Sequence, residues 1–271
     1  MDNEQNNTVL AIDAAWTERE PSAVALLQQV GEHWHCLALA PSYAQFMALA
    51  EGTPVNWADK PVGQAPELGS LLDAAYQLGK QRVNLITLDM PVSTVTITGY
   101  REAERAIARR FSKFGCAAHS PGISRPGKIG RAYTDDLEQL GFKLGVADTR
   151  AGTSKRLLEV YPHPALMNLT QADYRLEYKA GRTSRYWPGL PVSERKQKLL
   201  YIYKNILDTL AQHISNIRLT LPDELGEQPF SFFKRYEDAI DALICGWVGM
   251  QYLQGNATAH GDNTGAIWVP A

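Results

Sequence analysis

Two runs of apolar residues in the chain end on an aspartate. Residues 8–13 are Thr-Val-Leu-Ala-Ile-Asp, and residues 83–89 are Val-Asn-Leu-Ile-Thr-Leu-Asp, followed by Met90 and Pro91. Short apolar runs rich in β-branched residues are typical of buried strands, and a proline ends a strand because it has no N–H to donate to the ladder. We therefore predict two buried strands that end at Asp13 and Asp89.

The remaining pattern predicts strands and helices in alternation. Residues 23–28 and 34–40 are apolar and Gly31 separates them, which predicts an antiparallel meander with the first strand. Further strands are predicted over residues 157–161 and 265–270, helices over residues 43–51, 67–79, 101–114, 133–140 and 193–213, and loops over residues 119–130 and 255–265.

The segment from Ala239 to Met250 has Asp241 as its only charged residue. At helical spacing one side of this segment is apolar (Ile240, Leu243, Ile244, Trp247, Val248) and the other is small (Ala242, Cys245, Gly246, Gly249). We predict a helix buried on both sides, with a close neighbour on the small side. Asp238 lies three residues before Asp241 and shares its face. Either a cation compensates the two carboxylates, or Asp238 interacts with the helix dipole and Asp241 with a buried backbone group.

The net charge limits how this chain can bind nucleic acid. Its 271 residues carry a formal net charge of −2, so a nucleic-acid site must be a local basic patch. Residues 175–198 contain seven basic residues and only two acidic ones, Glu177 and Glu194. The basic residues are Arg175, Lys179, Arg182, Arg185, Arg195, Lys196 and Lys198. This segment is either a phosphate-binding surface or an ordinary solvated surface.

The cysteines and the N-terminal residues predict a cytoplasmic protein. Cys36, Cys116 and Cys245 are scattered and form no C-x-x-C pair, which argues against a disulfide framework or a zinc site. No segment approaches the ~18 apolar residues of a membrane span, and residues 1–7 lack the features of a signal peptide. We expect residues 1–7 to be a disordered tail and the protein to make no membrane contact.

The aspartates predict a metal site. If the first two strands are parallel neighbours, Asp13 and Asp89 lie roughly 5 Å apart, and a buried helix at the same edge adds Asp238 and Asp241. So many carboxylates at close range cannot all stay ionised without cations. All-oxygen sites suit Mg²⁺ or Mn²⁺, and a pair of such ions can clamp the attacking and leaving oxygens of a phosphodiester. Neither G-x-G-x-x-G nor G-x-x-x-x-G-K-[ST] occurs, so these nucleotide-binding loops are not indicated.

Several short motifs spread over the chain resemble a known superfamily. They are Ala11-Ile12-Asp13, Leu88-Asp89-Met90-Pro91, Glu159-Val160-Tyr161-Pro162, Tyr178-Lys179, Asp241-Ala242-Leu243 and Gly265-Ala266-Ile267-Trp268-Val269-Pro270. With them the chain resembles the RNase H-like superfamily, whose members place acidic residues on the first strand, the fourth strand and the last helix. It resembles more closely a bacterial and archaeal family of unknown function labelled as predicted RNase H-like nucleases. The pair Asp238 and Asp241 is also similar to the acidic pair on the last helix of RuvC-type Holliday-junction resolvases.

The resemblance implies an α/β fold, with a mixed sheet in which an antiparallel meander is followed by parallel strands and with helices on both faces. It implies one RNase H-like domain over residues 8–271, with insertions at about residues 115–156 and 170–230. It also implies a metal-dependent nuclease that uses Mg²⁺ or Mn²⁺.

The resemblance also assigns roles to individual residues. Asp13, Asp89 and Asp241 would be metal ligands and catalytic residues, with Asp238 and Glu159 as further ligands or neighbours of ligands. Four basic residues would contact nucleic-acid phosphates: Lys179, Arg182, Arg125 and Lys128. One departure is that no acidic residue is firmly placed on the helix after the third strand, where the RNase H pattern has a glutamate. Either Glu159 substitutes from another strand or the site holds a single ion.

Two other classes of function remain open from the sequence. The first is a non-catalytic nucleic-acid-binding or scaffold protein on the same fold. The second is another phosphoryl-group hydrolase, although the Gly-rich phosphate loops of actin-like ATPases and sugar kinases do not occur here. His163 could assist proton transfer or be structural. The oligomeric state is not specified by the sequence.

Overall fold

The computed structural model of the protein describes residues 6–222 and 226–271. Within them, nine strands form one sheet. The strands are β1 (Thr8–Asp13), β2 (Ala23–Val30), β3 (His33–Ala40), β4 (Leu85–Leu88), β5 (Lys143–Leu144), β6 (Arg156–Val160), β7 (Ile214–Ser215), β8 (Ala257–Asp262) and β9 (Gly265–Pro270).

The sheet is mixed, as predicted. Its strand order is β7-β3-β2-β1-β4-β6-β9-β8, and β5 pairs with β6 beside this path. The pairs β1–β2 and β2–β3 are antiparallel, whereas β1–β4, β4–β6 and β6–β9 are parallel. An antiparallel meander is therefore followed by parallel strands, and the carboxyl ends of β1, β4 and β6 lie at one edge of the sheet.

Helices cover both faces of the sheet. They are α1 (Tyr43–Ala50), α2 (Leu68–Gly79), α3 (Glu102–Phe111), α4 (Lys128–Gln139), α5 (Pro162–Thr170), α6 (Thr183–Tyr186), α7 (Val192–Leu210) and α8 (Phe230–Leu253). Because side chains alternate along a strand, Val9 and Ala11 of β1 join the core under α5, α7 and α8, whereas Leu10 and Ile12 join the core under α1, α2 and α4.

Glycines bring helix α8 into direct contact with the central strands. A Cβ atom on Gly246 would lie 2.5 Å from Leu27 Cδ1 and 3.4 Å from Ala11 Cβ, and one on Gly249 would lie 2.8 Å from Val9 Cγ1. The close neighbour predicted for the small side is therefore the sheet itself. Since Gly249 lies over Val9 and Gly246 over Ala11, α8 runs antiparallel to β1, and the start of α8 lies at the carboxyl end of that strand.

The structure corrects two predicted loops. Residues 257–262, predicted as loop, form β8, which pairs with β9 from Ala257–Pro270 to Asp262–Gly265. This strand escaped prediction because its residues, Ala-Thr-Ala-His-Gly-Asp, include no large apolar side chain, and pairing with β9 fixes it. Helix α4 begins at Lys128, inside the predicted loop 119–130. Helix α5, absent from the prediction, begins at Pro162, the residue type favoured in a first helical turn.

The two predicted insertions contain ordinary elements of the fold. Residues 115–156 contribute α4 and β5, and residues 170–222 contribute α6, α7 and β7, which pairs with β3 at the sheet edge. The predicted tail lies mostly outside the described residues, but Asn7 O accepts a hydrogen bond from Gln29 N at 2.8 Å. Among residues 6–222 and 226–271, no helix is both long and apolar enough to cross a bilayer.

Candidate metal centre

Strand alternation directs Asp13 and Asp89 towards helix α8. Asp13 comes two residues after Ala11, and Asp89 two residues after Thr87, whose Cγ2 would lie 3.0 Å from a Cβ on Gly249 of that helix. The ladder between the two strands continues to this point, because Asp89 N donates to Ile12 O at 2.9 Å. The two aspartates therefore end neighbouring parallel strands on the same face of the sheet.

Three aspartates form a compact group at this edge. Asp13, Asp238 and Asp241 each offer a carboxylate oxygen, and these oxygens all lie within 4.8 Å of one another. Asp238 and Asp241 are one helical turn apart on α8 and are 6% and 1% exposed. Such a group of buried carboxylates can hold a metal ion.

The partners of the three aspartates differ. Asp241 accepts from Tyr178 Oη at 2.6 Å and from Lys179 Nζ at 2.5 Å. Asp238 contacts the ammonium group of Lys234 on the preceding turn of α8. Among the described residues, no hydrogen bond or ion pair is made by the Asp13 side chain. Asp13 is therefore the member of the group with oxygens left for a ligand.

Burial and like charges perturb these carboxyl groups. Burial, followed by Asp238 and Asp241, raises the pKa of Asp13 well above its ordinary value. Burial, followed by Asp241, raises the pKa of Asp89 to about 7 although Lys179 opposes the shift. Burial also raises the pKa of Asp238 to about 6, against the effect of Lys234. In the absence of a further cation the site therefore favours protonation of some of its carboxyl groups.

Two residues of this site were missed by the sequence analysis. Glu237, 2% exposed, accepts from Ala180 N at 2.6 Å and lies 3.1 Å from Lys234 Nζ and 3.5 Å from Lys179 Nζ. Burial opposes ionisation of Glu237, but Lys179 and Lys234 bring its pKa below the ordinary value. The spacing of Lys234, Glu237, Asp238 and Asp241 places them on adjoining turns of one helix, which was the available signal. Two ammonium groups thus face five carboxyl groups once Asp13 and Asp89 are included.

Glu159 lines the same cleft as Asp89 but faces away from the side of the sheet that α8 covers. Leu158 and Val160 pack under α8, so the intervening Glu159 points to the opposite face of the sheet. Its oxygens are bound by Arg101, at 2.6 Å from Nη2 and 2.8 Å from Nη1, and one also accepts from Val92 N at 3.0 Å. Burial raises the pKa of Glu159 despite Arg101. Both oxygens of Glu159 therefore already accept hydrogen bonds within the chain.

The aspartate group adjoins a cleft of about 750 Å³. Asp89 and Glu237 line it together with both lysines of the site, whereas Asp13, Asp238 and Asp241 are not among the lining residues. Of the four predicted phosphate contacts, Lys179 is paired with Asp241 and Glu237, and Arg182 and Arg125 line the cleft. Lys128 is exposed on α4 and is not among the lining residues.

His163 lies in the cleft wall, 7% exposed, between the rings of Tyr161 and Tyr178. Its Nε2 lies 3.1 Å from Arg175 Nη2. Burial, followed by Lys179 and Arg175, lowers the pKa of His163 well below its ordinary value. The imidazole is therefore neutral at pH 7.

The fold and the site together define an α/β protein with a cluster of acidic residues at the carboxyl edge of a mixed sheet. We call this cluster, which consists of Asp13, Asp89, Glu237, Asp238 and Asp241, the acidic group. The chain belongs to the family described as "Protein of unknown function (DUF429)", which it matches over residues 12–265. This range contains every residue of the acidic group. Comparison with curated proteins and with solved structures gave no match.

Proposed function

We propose that this protein is a metal-dependent nuclease that hydrolyses phosphodiester bonds of nucleic acid on an RNase H-like fold. The observation that carries the proposal is the group formed by Asp13, Asp238 and Asp241, whose oxygens lie within 4.8 Å of one another. Three carboxylates from two different elements converge here, and Asp13 has no hydrogen-bond or ion-pair partner within residues 6–222 and 226–271. This convergence has a high electrostatic cost that a bound cation would remove.

The donor set fits a hard divalent cation. All the donors are carboxylate oxygens, the ligands that Mg²⁺ and Mn²⁺ prefer, and among the described residues no cysteine or histidine belongs to the group. Asp13, Asp238 and Asp241 would hold the ion, with Asp89 beside them on the cleft side. A bound ion would activate water and stabilise charge on the phosphoryl oxygens. We leave Glu159 out of the ligand set because Arg101 binds both its oxygens.

The topology supports the RNase H-like part of the proposal. The order β3-β2-β1-β4-β6 joins an antiparallel meander to parallel strands, and the last long helix lies along β1. Acidic residues occur on the first strand, after the fourth strand and on that helix, which are the positions that the superfamily resemblance implies. Similarity of fold alone carries no activity, so the acidic group bears the argument.

The cleft supports nucleic acid as the substrate. Arginines and lysines in its wall can contact phosphates, and they lie next to the acidic group. Lys179 and Lys234 would in addition hold the carboxylates in place, because each of them bridges Glu237 and one aspartate.

One observation favours the alternative of a non-catalytic nucleic-acid-binding protein. The ammonium groups of Lys179 and Lys234 already contact Asp241 and Asp238, so part of the acidic charge is compensated within the chain. Under this alternative the lysines replace a metal ion and the cleft only binds nucleic acid. The two functions differ in whether divalent cations change what the protein does.

Cleavage assays separate these functions. Labelled single-stranded DNA, single-stranded RNA, duplexes and a branched junction are incubated with Mg²⁺, Mn²⁺ or EDTA. We expect cleavage of at least one substrate that requires the divalent cation and falls to background in Asp13→Asn. Asp135→Asn, which removes an exposed carboxylate paired with Arg131 on α4, is the matched control and should cleave normally. Cleavage that persists in EDTA, or in Asp13→Asn, contradicts the proposal.

A further inference from the structure

The cleft beside the acidic group has a second, basic part. Its lining includes Arg125, Arg175 and His119 from irregular segments and Arg182 from a short 3₁₀ helix, all remote in sequence from the aspartates. Among residues 6–222 and 226–271, neither Arg175 nor Arg182 has a carboxylate oxygen within 4.0 Å. Two guanidinium groups on the cleft wall thus lack a counter-charge within the part of the chain that the structure describes.

The carboxylates that line the cleft do not supply this counter-charge. Glu104 and Glu159 both bind Arg101, and Glu237 binds the two lysines of the acidic group. Asp89 belongs to the acidic group at the sheet edge. The positive charge of Arg175 and Arg182 is therefore available to an anion that enters the cleft.

Arg175 is fixed in position before any ligand binds. Its backbone N donates to Phe114 O at 3.0 Å, Nη1 donates to Gly115 O at 3.1 Å, and Nη2 lies 3.1 Å from His163 Nε2. Gly115 has φ +79°, and a Cβ there would lie 2.8 Å from Arg175 Cδ and 2.7 Å from the Tyr174 ring. A side chain at residue 115 would displace the guanidinium, so the glycine is required for this placement.

Two buried donor nitrogens in this wall of the cleft, one on Arg175 and one on His163, have no acceptor among the described residues. A guanidinium can only donate, so His163 Nε2 must accept from Arg175 and the ring proton must lie on Nδ1. Both His163 Nδ1 and Arg175 Nε are buried without a hydrogen-bond partner among the described residues. Buried donors without acceptors cost free energy, so this part of the cleft wall has more donors than acceptors.

From this geometry we propose that Arg175, Arg182 and His163 form a pocket for the terminal phosphate of a nucleic-acid strand. A phosphomonoester carries a charge of about −1.5 to −2, which matches two unpaired guanidinium groups better than the single charge of an internal phosphodiester does. The choice of a nucleic-acid strand rests on the proposed function. The pocket would hold the end of the strand while the acidic group faces a neighbouring linkage, so the substrate class is a strand with a phosphorylated end.

Binding measured without divalent cations tests this pocket independently of cleavage. Oligonucleotides that carry a 5′-phosphate, a 3′-phosphate or only hydroxyl ends, each labelled at the opposite end, are titrated in EDTA and followed by fluorescence anisotropy. We expect one terminal phosphate to tighten binding by about tenfold. Arg182→Gln should abolish that preference. Arg185→Gln, an exposed arginine three residues further that does not line the cleft, should retain it.

Several results would overturn this pocket. Equal affinity for phosphorylated and hydroxyl-ended strands would do so, as would a preference that survives in Arg182→Gln or disappears equally in Arg185→Gln. Inorganic phosphate and a nucleoside monophosphate serve as competitors, and we expect each to compete at least tenfold more weakly than the phosphorylated strand. Equal competition by the mononucleotide would show a site for free nucleotides and refute the strand-end assignment. A preference for a terminal phosphate without cation-dependent cleavage would support the phosphate pocket and contradict the proposed nuclease activity.

Discussion

Removal of charge from Asp241 should destabilise the protein, whereas removal of charge from Asp13 should not. Asp241 is 1% exposed and accepts from Tyr178 Oη and Lys179 Nζ. In Asp241→Asn the amide oxygen can keep the bond from Tyr178, but the amide NH₂ then faces the ammonium of Lys179. The partly buried lysine loses its main counter-charge, and two donors face each other.

The size of this loss follows from the contacts that remain. Removal of one partner of a buried ion pair costs about 3–5 kcal/mol. Lys179 is 21% exposed and keeps Glu237 Oε1 at 3.5 Å, so part of the charge stays compensated. We therefore expect Asp241→Asn to lower the free energy of unfolding by about 2–3 kcal/mol, which corresponds to a fall in Tm of roughly 4–12 °C.

Asp13→Asn should leave stability unchanged or raise it by up to about 1 kcal/mol. The Asp13 side chain has no partner among the described residues, and burial with Asp238 and Asp241 raises its pKa. A neutral side chain of the same shape removes that repulsion without leaving a cation unpaired.

Urea unfolding in EDTA at pH 7, followed by tryptophan fluorescence and far-UV circular dichroism, measures both effects. Asp135→Asn is the control for the loss of an exposed carboxylate, 43% accessible and paired with Arg131, and should stay within about 0.5 kcal/mol of wild type. Asp241→Asn as stable as wild type would show that Lys179 does not depend on Asp241. An equal loss in Asp13→Asn would show that Asp13 has a structural partner.

Two further predictions concern the helix contact and pH. Gly246→Ala should cost about 1–3 kcal/mol in urea unfolding because its Cβ would lie 2.5 Å from Leu27 Cδ1, whereas Gly69→Ala, with open space around it, should gain about 0.5–1 kcal/mol; equal effects would contradict the close packing of α8. The pKa values of Asp89 (about 7) and Asp238 (about 6) exceed those of unfolded aspartate, so the folded state binds more protons and stability in EDTA should fall as pH rises from about 4 to 7. Asp89→Asn should show a shallower fall, and an unchanged slope would contradict the shift.

The elements that position the acidic group were predictable because each has a strong local pattern. Apolar runs that end in Asp13 and Asp89 specify two buried strands, and the stripe of small residues that includes Gly246 specifies a helix lying against a close neighbour. The pattern of β8 is weak by contrast, since none of its residues has a large apolar side chain. Only pairing with β9 fixes that strand, and pairing is not visible along the sequence.

The members of the site were harder to predict, because tertiary contacts decide which charges are buried. Lys179 lies in a basic segment typical of a solvated surface, but contact with α8 places its ammonium on Asp241. Lys234 and Glu237 look like ordinary charges in the first turns of a helix. Glu159 lies between two apolar residues of its strand, so strand alternation predicts that it faces the opposite side of the sheet from them. The sequence does not predict which side of the sheet α8 covers, and this decides whether Glu159 faces the aspartates.

Direct measurement of Mn²⁺ binding tests the central claim most closely. Electron paramagnetic resonance of free Mn²⁺ during titration gives the affinity of wild type, Asp13→Asn and the exposed control Asp135→Asn. We predict that wild type binds Mn²⁺, that Asp13→Asn binds at least tenfold more weakly, and that Asp135→Asn binds as wild type does. No binding by wild type, or equal binding by wild type and Asp13→Asn, would contradict a metal centre formed by Asp13, Asp238 and Asp241.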